Sequence, residues 1–376
     1  MTACTSITSP VTGATPAVTR TPATPVDFLM QTPKGGVDAV LTKDSIAFTA
    51  TAGVIEAVDI TRADGTPLLT TADASGLVAT WKRAPTRWQL SGILGPKSAY
   101  RARISGRNAD GAAATRSFAF TTNQAPLVQA RMNPGDDQVV GVGMPIQIRF
   151  SRAVPDRKAV ERHLRITTKP AVTGSWGWLE DDTVLWRPKE FWPAKTKVTA
   201  ALDVTGHHLG KGVFGGTRRS IRFDVGRDLR MTVSDASHSL TVTQGGKQVE
   251  SFAVSLGKAG HATRSGTKIV YEKATPFTMR GPASDPYVTT VKHAQRITDS
   301  GEFLHAAPWS VGAQGRRNVS HGCTNLSPSA AAWLYDQTIP GDPVITTGTG
   351  RRAETWNGMG GIWNFTWAQW RQQSAL

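Results

Sequence analysis

Short alternating runs divided by turn residues fill residues 33 to about 225 of this chain, and such runs leave little to build but β-sheet. Ser45-Ile46-Ala47-Phe48-Thr49 alternates apolar and polar, as do Ile146-Gln147-Ile148-Arg149-Phe150 and Ile221-Arg222-Phe223-Asp224-Val225. A period of two places every second side chain on one sheet face, so each run offers one face to a core. Asp59-Ile60-Thr61-Arg62 runs into Ala63-Asp64-Gly65. Asn108-Ala109-Asp110-Gly111 divides Tyr100–Ile104 from Ser117–Phe120. Both are turn signals, and strands at this spacing predict β-sandwiches. No cysteine pair is available to staple such a core, which must rest on aliphatics with Trp81 or Trp88.

The 376 residues suffice for two to four compact units. Residues 1–30, rich in Thr, Pro, Ala and Ser, offer little to bury and are expected to form a flexible tether. A first sandwich is expected over 31–123 and a second over 124–226, divided at Asn123-Gln124-Ala125-Pro126. In the second, Trp176, Trp178, Trp186 and Trp192 lie close in sequence. They form either a carbohydrate platform or core, and core is favoured. Gly210-Lys211-Gly212-Val213-Phe214-Gly215 matches a dinucleotide fingerprint but lacks the helix that must follow it. His207-His208 has no further ligands to complete a metal set, so no metal is expected there.

From about residue 227 the pattern changes. Ser239–Thr243 and Val249–Val254 flank Gln244-Gly245-Gly246-Lys247, a hairpin turn, and Gly266–Tyr271 reads as another strand. Residues 273–300 are loop-rich. Ser327-Pro328 starts a helix with serine as cap and proline in the first turn, running from Ala330 to Gln337. Val344–Thr346 returns as a strand. In the 349–376 tail, Trp363, Trp367 and Trp370 fit one face of a short helix that packs back on the preceding domain.

The chemistry concentrates in residues 305–325. Cys323 is one of two cysteines, with His321 two positions before it and His305 eighteen before it. A free thiol with a pKa of about 8.5 is little ionised at neutral pH, so it needs a base to become a nucleophile. An imidazole can take that proton and return it to a leaving amine. His321 and Cys323 share a face on extended chain. His305, at the end of the Gly301–His305 run, is the expected base because packing can hold a strand end. Gly322 lets backbone approach a carbonyl, and the N–H groups of Gly322 and Cys323 are the expected oxyanion donors.

Ser320-His321-Gly322-Cys323-Thr324-Asn325, with a histidine eighteen residues upstream, resembles the signature of the L,D-transpeptidases with a YkuD-type catalytic domain. Residues 30–376 resemble an actinobacterial peptidoglycan L,D-transpeptidase, with two immunoglobulin-like domains ahead of the catalytic one. The resemblance implies a mostly β chain: two tandem immunoglobulin-like sandwiches, a β-rich catalytic domain over 227–348 and a short helical tail. It implies acyl transfer from a tetrapeptide stem to a neighbouring stem, with D-alanine released and a 3→3 cross-link formed. It also implies acylation of Cys323 by carbapenems and no metal or organic cofactor. The backbone carbonyl of Ala306 is implied to hold the second ring nitrogen of His305. Residues 273–300 are implied to form a lid, with Tyr287, Ser300, Gly301, Trp309, Ser320 and Asn325 meeting substrate or bracing its loops.

The charge of +15 suits an anionic partner such as a wall polymer, and serves solubility equally well. No zinc-finger, helix-turn-helix or aromatic RNA-binding pattern accompanies it, so nucleic acid is not expected. No run is long enough to span a membrane. The numbering is read as starting after a removed signal. Thr2-Ala3-Cys4 resembles the end of a lipoprotein cleavage box, so Cys4 is either a membrane-anchoring lipid site or a chance cysteine in the tether. The resemblance implies an extracytoplasmic place in the cell envelope, where a lipid on Cys4 would anchor the chain to the plasma membrane. Two other readings stay open: an L,D-carboxypeptidase that sends water to the same thioester, and an inactive wall-binding module.

Overall fold

The computed structural model describes residues 21–68, 77–281, 283 and 285–376, apart from the side chains of 42–44. Cys4 and most of the expected tether lie outside the described residues. The chain divides into two compact units, 1–124 and 125–376.

The first unit is a two-sheet structure. One sheet orders Asp27–Gln31, Val40–Thr51, Arg87–Ile93 and Val78–Ala84; the other orders Gly53–Arg62, Ala99–Asn108 and Ala113–Thr121. Alternation decides what is buried. Ile46 and Phe48 on one sheet and Ala102 and Ile104 on the other have no solvent exposure. Trp88 is buried and Trp81 is the less buried partner beside it, ring centres 5.7 Å apart. At the Asn108–Gly111 turn, the Asn108 side-chain oxygen accepts the N–H groups of Asp110 and Ala112, and Gly111 takes φ +83°. The tether expected through residue 30 is shorter than that, because Asp27–Gln31 pairs with Val40–Thr51 and buries Phe28.

The second unit begins with two four-stranded sheets. Gln138–Val140, Arg218–Val225, Lys197–Asp203 and Leu164–Lys169 form one; Gly174–Glu180, Thr183–Pro188, Ile146–Phe150 and Ala130–Asn133 form the other. Trp178, Trp186 and Trp192 are buried between them. Their polar atoms are satisfied inside: Trp178 donates to Glu161 at 2.8 Å and Trp192 to the Met144 carbonyl at 2.7 Å. That is how core tryptophans behave. The Gly210–Gly215 stretch is a loop ending in the short Phe214–Gly215 strand, with no helix after it.

A six-stranded sheet follows, ordered Lys247–Ala253, Ser239–Gln244, Leu229–Ser234, Pro343–Thr347, Arg264–Ile269 and Arg351–Arg352. Its first hairpin turns on Gly245 and Gly246, at φ +59° and +80°. A second sheet orders Glu272–Ala274, Ala294–Arg296, Phe303–Ala306 and Thr324–Leu326. The Pro328–Gln337 helix, capped by Ser327, buries Ala330, Ala331 and Leu334 against Leu304, Leu326 and Ile297. Strand 303–306 is therefore covered by a helix on one side. Its other side faces a groove.

The C-terminal segment differs from expectation. Met359–Asn364 is a 3-10 turn and Trp367–Arg371 a separate helix, broken at Phe365-Thr366, where Thr366 and Gln369 form a capping box. The turn packs on the catalytic strand 264–269 through Asn364, which bonds both backbone groups of Thr267. The helix instead packs on the sandwich sheet: Trp370 donates to the Ser175 carbonyl at 3.0 Å. The three tail tryptophans still converge. Arg187 lies within 4.8 to 5.5 Å of the rings of Trp363, Trp367 and Trp370.

Candidate active site

Parallel pairing of Phe303–Ala306 with Thr324–Leu326 sets His305 opposite Asn325. With a period of two, position 323 shares the face of 325, so Cys323 and His305 project to one side. Both line a cavity of about 330 Å³ with Met279, Tyr287, Trp309, Ser320, His321 and Asn325. Cys323 is a free thiol. It is 6% exposed, and His305 is 3% exposed.

Backbone chemistry fixes the histidine. Nδ1 of His305 donates to the Ala306 carbonyl at 2.9 Å, which leaves Nε2 as the basic nitrogen. Burial holds the imidazole below its ordinary pKa, and the Ala306 carbonyl opposes this in part. Trp309 stands over it with ring centres 6.1 Å apart. Ser310 joins the neighbouring turn to the strand by accepting from Asn325 Nδ2 at 3.2 Å.

The sulfur lies in a different contact from the one expected. Its thiol donates to the Gly301 carbonyl, 3.7 Å away, and not to His305. Burial pushes the Cys323 thiol up to about 12, with Glu302 raising it further and the Phe303 N–H and Lys268 opposing. The resting pair is thus a thiol and a neutral imidazole.

The Ser-His-Gly-Cys turn is held from within. Ser320 Oγ donates to the Cys323 carbonyl at 2.7 Å and accepts the Gly322 N–H at 3.1 Å. The Ser320 hydroxyl thus braces the turn, one of the two roles expected for it, and one expectation is corrected: the Gly322 N–H is not an open donor. Glycine is required at 322 by its φ of +123°, not by space, since a Cβ there would meet nothing nearer than 3.7 Å. Thr263 ties the turn down by donating to the Gly322 carbonyl at 2.8 Å.

His321 faces the hairpin of Phe277–Arg280 with Val288–Val291 and the loop between those strands. Its Nε2 lies 3.0 Å from Lys258 Nζ and 3.3 Å from an Asp285 oxygen, and its ring is 5.0 Å from that of Tyr287. Desolvation and then Lys258 hold His321 below its ordinary pKa. Tyr287 packs with Met279, Phe303 and Cys323, so the lid expected over 273–300 brings this tyrosine to the groove. Ser300 and Gly301 line an adjoining cavity of about 600 Å³ that shares Met279, Tyr287 and His321 with the first.

Sequence reasoning missed Lys258, His261 and Asp285 around His321. No local pattern marks them; pairing of Gly257 with Ser320 brings the first two to the turn. It also missed Glu302 and Lys268, 3% and 1% exposed, which lie under the groove. Lys268 carried no phase signal either, since Ile269 and Val270 beside it are buried as fully as it is.

Known proteins resemble this chain along most of its length. Residues 37–208 match a bacterial Ig domain family, and residues 228–346 match the YkuD L,D-transpeptidase catalytic domain. L,D-transpeptidase 2 of Mycobacterium tuberculosis is 37% identical over 349 residues, covering 90% of this chain and 83% of that protein. L,D-transpeptidase 1 of Mycobacterium tuberculosis is 36% identical over 244 residues, 62% of this chain and 92% of that one. An LD transpeptidase solved in complex with imipenem superposes with a TM-score of 0.52 at 35% identity, over 59% of this chain and 99% of that one. L,D-transpeptidase 3 from Mycobacterium tuberculosis does so with a TM-score of 0.50 at 30% identity, over 59% and 99%. With Ig-type sheets ahead of a catalytic domain of this kind, and such relatives along most of its length, the chain belongs to the peptidoglycan L,D-transpeptidases.

Proposed function

We propose that Cys323 is the nucleophile and His305 the base of a transpeptidase that forms 3→3 cross-links. The observation that carries this is the sharing of one groove by Cys323 and a His305 whose Nδ1 is tied to the Ala306 carbonyl. His305 Nε2 takes the thiol proton as Sγ leaves the Gly301 carbonyl. The thiolate attacks the carbonyl between the third residue of the stem and its terminal D-alanine. The Cys323 N–H supplies an oxyanion donor, since the Gly322 N–H is already engaged. The C–N bond then breaks and the departing amine takes the proton from His305. The side-chain amine of a second stem attacks the thioester, gives a proton to His305, and releases the sulfur. Tyr287 and Trp309 flank the groove that would receive the stems. Carbapenems would acylate the same sulfur, their strained ring standing in for the amide; a relative of the same fold has been solved in complex with imipenem.

The test is incubation with a disaccharide tetrapeptide, followed by mass analysis. A dimer that has lost one D-alanine is expected; tripeptide alone would replace transfer with hydrolysis. His305→Gln should slow acylation about a hundredfold or more, the scale of a lost general base. A negligible effect in that assay would move the role to His321.

The pH dependence follows from the two shifts. A thiol raised to about 12 stays protonated at neutrality. Iodoacetamide labelling of Cys323 should therefore climb steadily from pH 7 to pH 9, about tenfold per pH unit, because only thiolate reacts. Levelling off near pH 7 would mean a preformed thiolate–imidazolium pair. His305 is depressed from 6.5, so it stays neutral and able to accept a proton at and somewhat below that pH.

The finer reading of location is a lipid on Cys4, supported by Thr2-Ala3-Cys4 alone. An unmodified N-terminus in membrane-extracted native protein would dismiss it.

A further inference from the structure

Beneath the nucleophile's turn lies a buried set of charges. Lys268 Nζ bonds Glu302 at 3.1 Å and the Arg264 carbonyl at 2.5 Å. The other Glu302 oxygen accepts both the Arg264 N–H and its Nη1 at 3.0 Å. Arg264 Nε also meets Glu354 at 2.5 Å, and Glu354 accepts from Asn357 at 2.9 Å. Asn357 closes the chain of contacts by bonding the N–H and hydroxyl of Ser300 at 3.0 and 2.9 Å. Arg264, Lys268, Glu302 and Glu354 carry two charges of each sign.

This set is aimed at the sulfur. Glu302 follows directly on Gly301, whose carbonyl holds the thiol. Its carboxylate lies under Gly322, where a Cβ would stand 3.9 Å from Glu302 Oε1. A negative charge so close opposes both the thiolate and the oxyanion, and low local polarity makes it count. A cation on the same carboxylate relieves that opposition. Burying two charges is costly, so a buried ion pair is weak evidence of a role in stability. The fold alone does not explain the pair.

We propose that Lys268 and Glu302 are positioning residues of the transfer reaction: their buried ion pair holds the 298–302 loop against the sulfur and sets, by opposing charges, how readily Cys323 ionises. The other groups facing the sulfur are His305, His321 and Tyr287 from the groove, with Arg264 behind. The sulfur's own hydrogen-bond partners are backbone groups, the Gly301 carbonyl and the Phe303 N–H. The proposal rests on Cys323 being the nucleophile.

The experiment follows iodoacetamide alkylation of Cys323 against pH in the full chain, with the labelled peptide identified by mass so that Cys4 is not counted. Lys268→Met should slow alkylation at pH 7 about threefold or more, and Glu302→Gln should speed it by about the same factor. A role confined to holding the fold would move both variants in one direction. Changes of the same sign, or none, overturn the proposal. Should Lys268→Met not fold, Glu302→Gln and the charge-keeping Glu302→Asp carry the test. Glu302→Gln should speed alkylation about threefold or more while Glu302→Asp stays within about a factor of two of the parent; equal acceleration in both, or none in Glu302→Gln, overturns it. Cross-linking by Cys323→Ala is measured alongside. If that variant still works, the nucleophile assignment fails; if it is inactive while the charge variants disobey, this inference alone fails.

Discussion

Cys323→Ala is expected to end D-alanine release and to abolish the covalent adduct with a carbapenem, while the protein stays folded. The proposed chemistry passes through a thioester at one sulfur, and the chain's remaining cysteine, Cys4, lies in the Thr/Pro-rich N-terminal stretch. Removing a nucleophile that acts with its base as a unit leaves only binding and electrostatic help, so the rate should fall by about a thousandfold or more. The structural consequence is small by comparison. Cys323 packs with Met279, Val291, Ala294 and Phe303, and loss of one sulfur atom there costs about 1 kcal/mol. The thiol's bond to the Gly301 carbonyl is long, at 3.7 Å, and its loss adds little. Muropeptide mass analysis and intact-protein mass after carbapenem treatment check the chemistry; thermal unfolding checks the fold. Full activity in the variant would remove the sulfur from the mechanism.

The pairing of this sulfur with His305 was legible because two separate rules met in one stretch. Residue types limited the chemistry to a thiol and an imidazole. The spacing of the motif then matched a family whose topology brings the distant histidine alongside. What could not be read was the state of the groups. Nothing in Ser-His-Gly-Cys says that Ser320 bonds both ends of its own turn, leaving Gly322 N–H engaged. Nor does it say that the thiol points to a carbonyl from residue 301. Those are outcomes of backbone direction at single positions, decided by contacts with strands far off in sequence. Lys268 shows a different failure. The strand that carries it was visible, but its burial was not, and its partner Glu302 lies 34 positions away, so it could not be given a counter-charge.

The sheets were more open to reading than the tail. Alternation in Ile146–Phe150 and Ile221–Val225 reports burial directly, since one face of each strand must be covered, whereas Ser45–Phe48 are buried on both faces. The three tail tryptophans fitted a helical spacing, and the spacing misled. They converge because Arg187 gathers them, and the chain reaches that arginine through a 3-10 turn, a break and a separate short helix. Period alone cannot separate one helix from a bend that serves a shared partner.

Trp370→Ala should therefore be the most destabilising single change outside the groove. The indole has no solvent exposure and packs with Leu185, Ile362 and Phe365. Its Nε1 donates to the Ser175 carbonyl, and its ring lies 5.5 Å from the Arg187 guanidinium. Arg187 is itself 2% exposed. Burial lowers its pKa to about 10, so it remains charged at neutrality and depends on the rings and on the Phe365, Pro188 and Lys189 carbonyls around it. Truncating the tryptophan removes a large buried surface, opens a cavity and uncovers one side of that cation. The transfer and cavity effects together cost about 3–5 kcal/mol. For a unit of this size that is a fall of roughly 10 °C in Tm. The turn after this helix supplies the Gln373 carbonyl that accepts the Trp178 N–H, so the 371–376 end should come free and become open to protease. Thermal unfolding with limited proteolysis checks both. A drop below about 3 °C with an uncleaved tail would mean that Trp363 and Trp367 hold the segment without it.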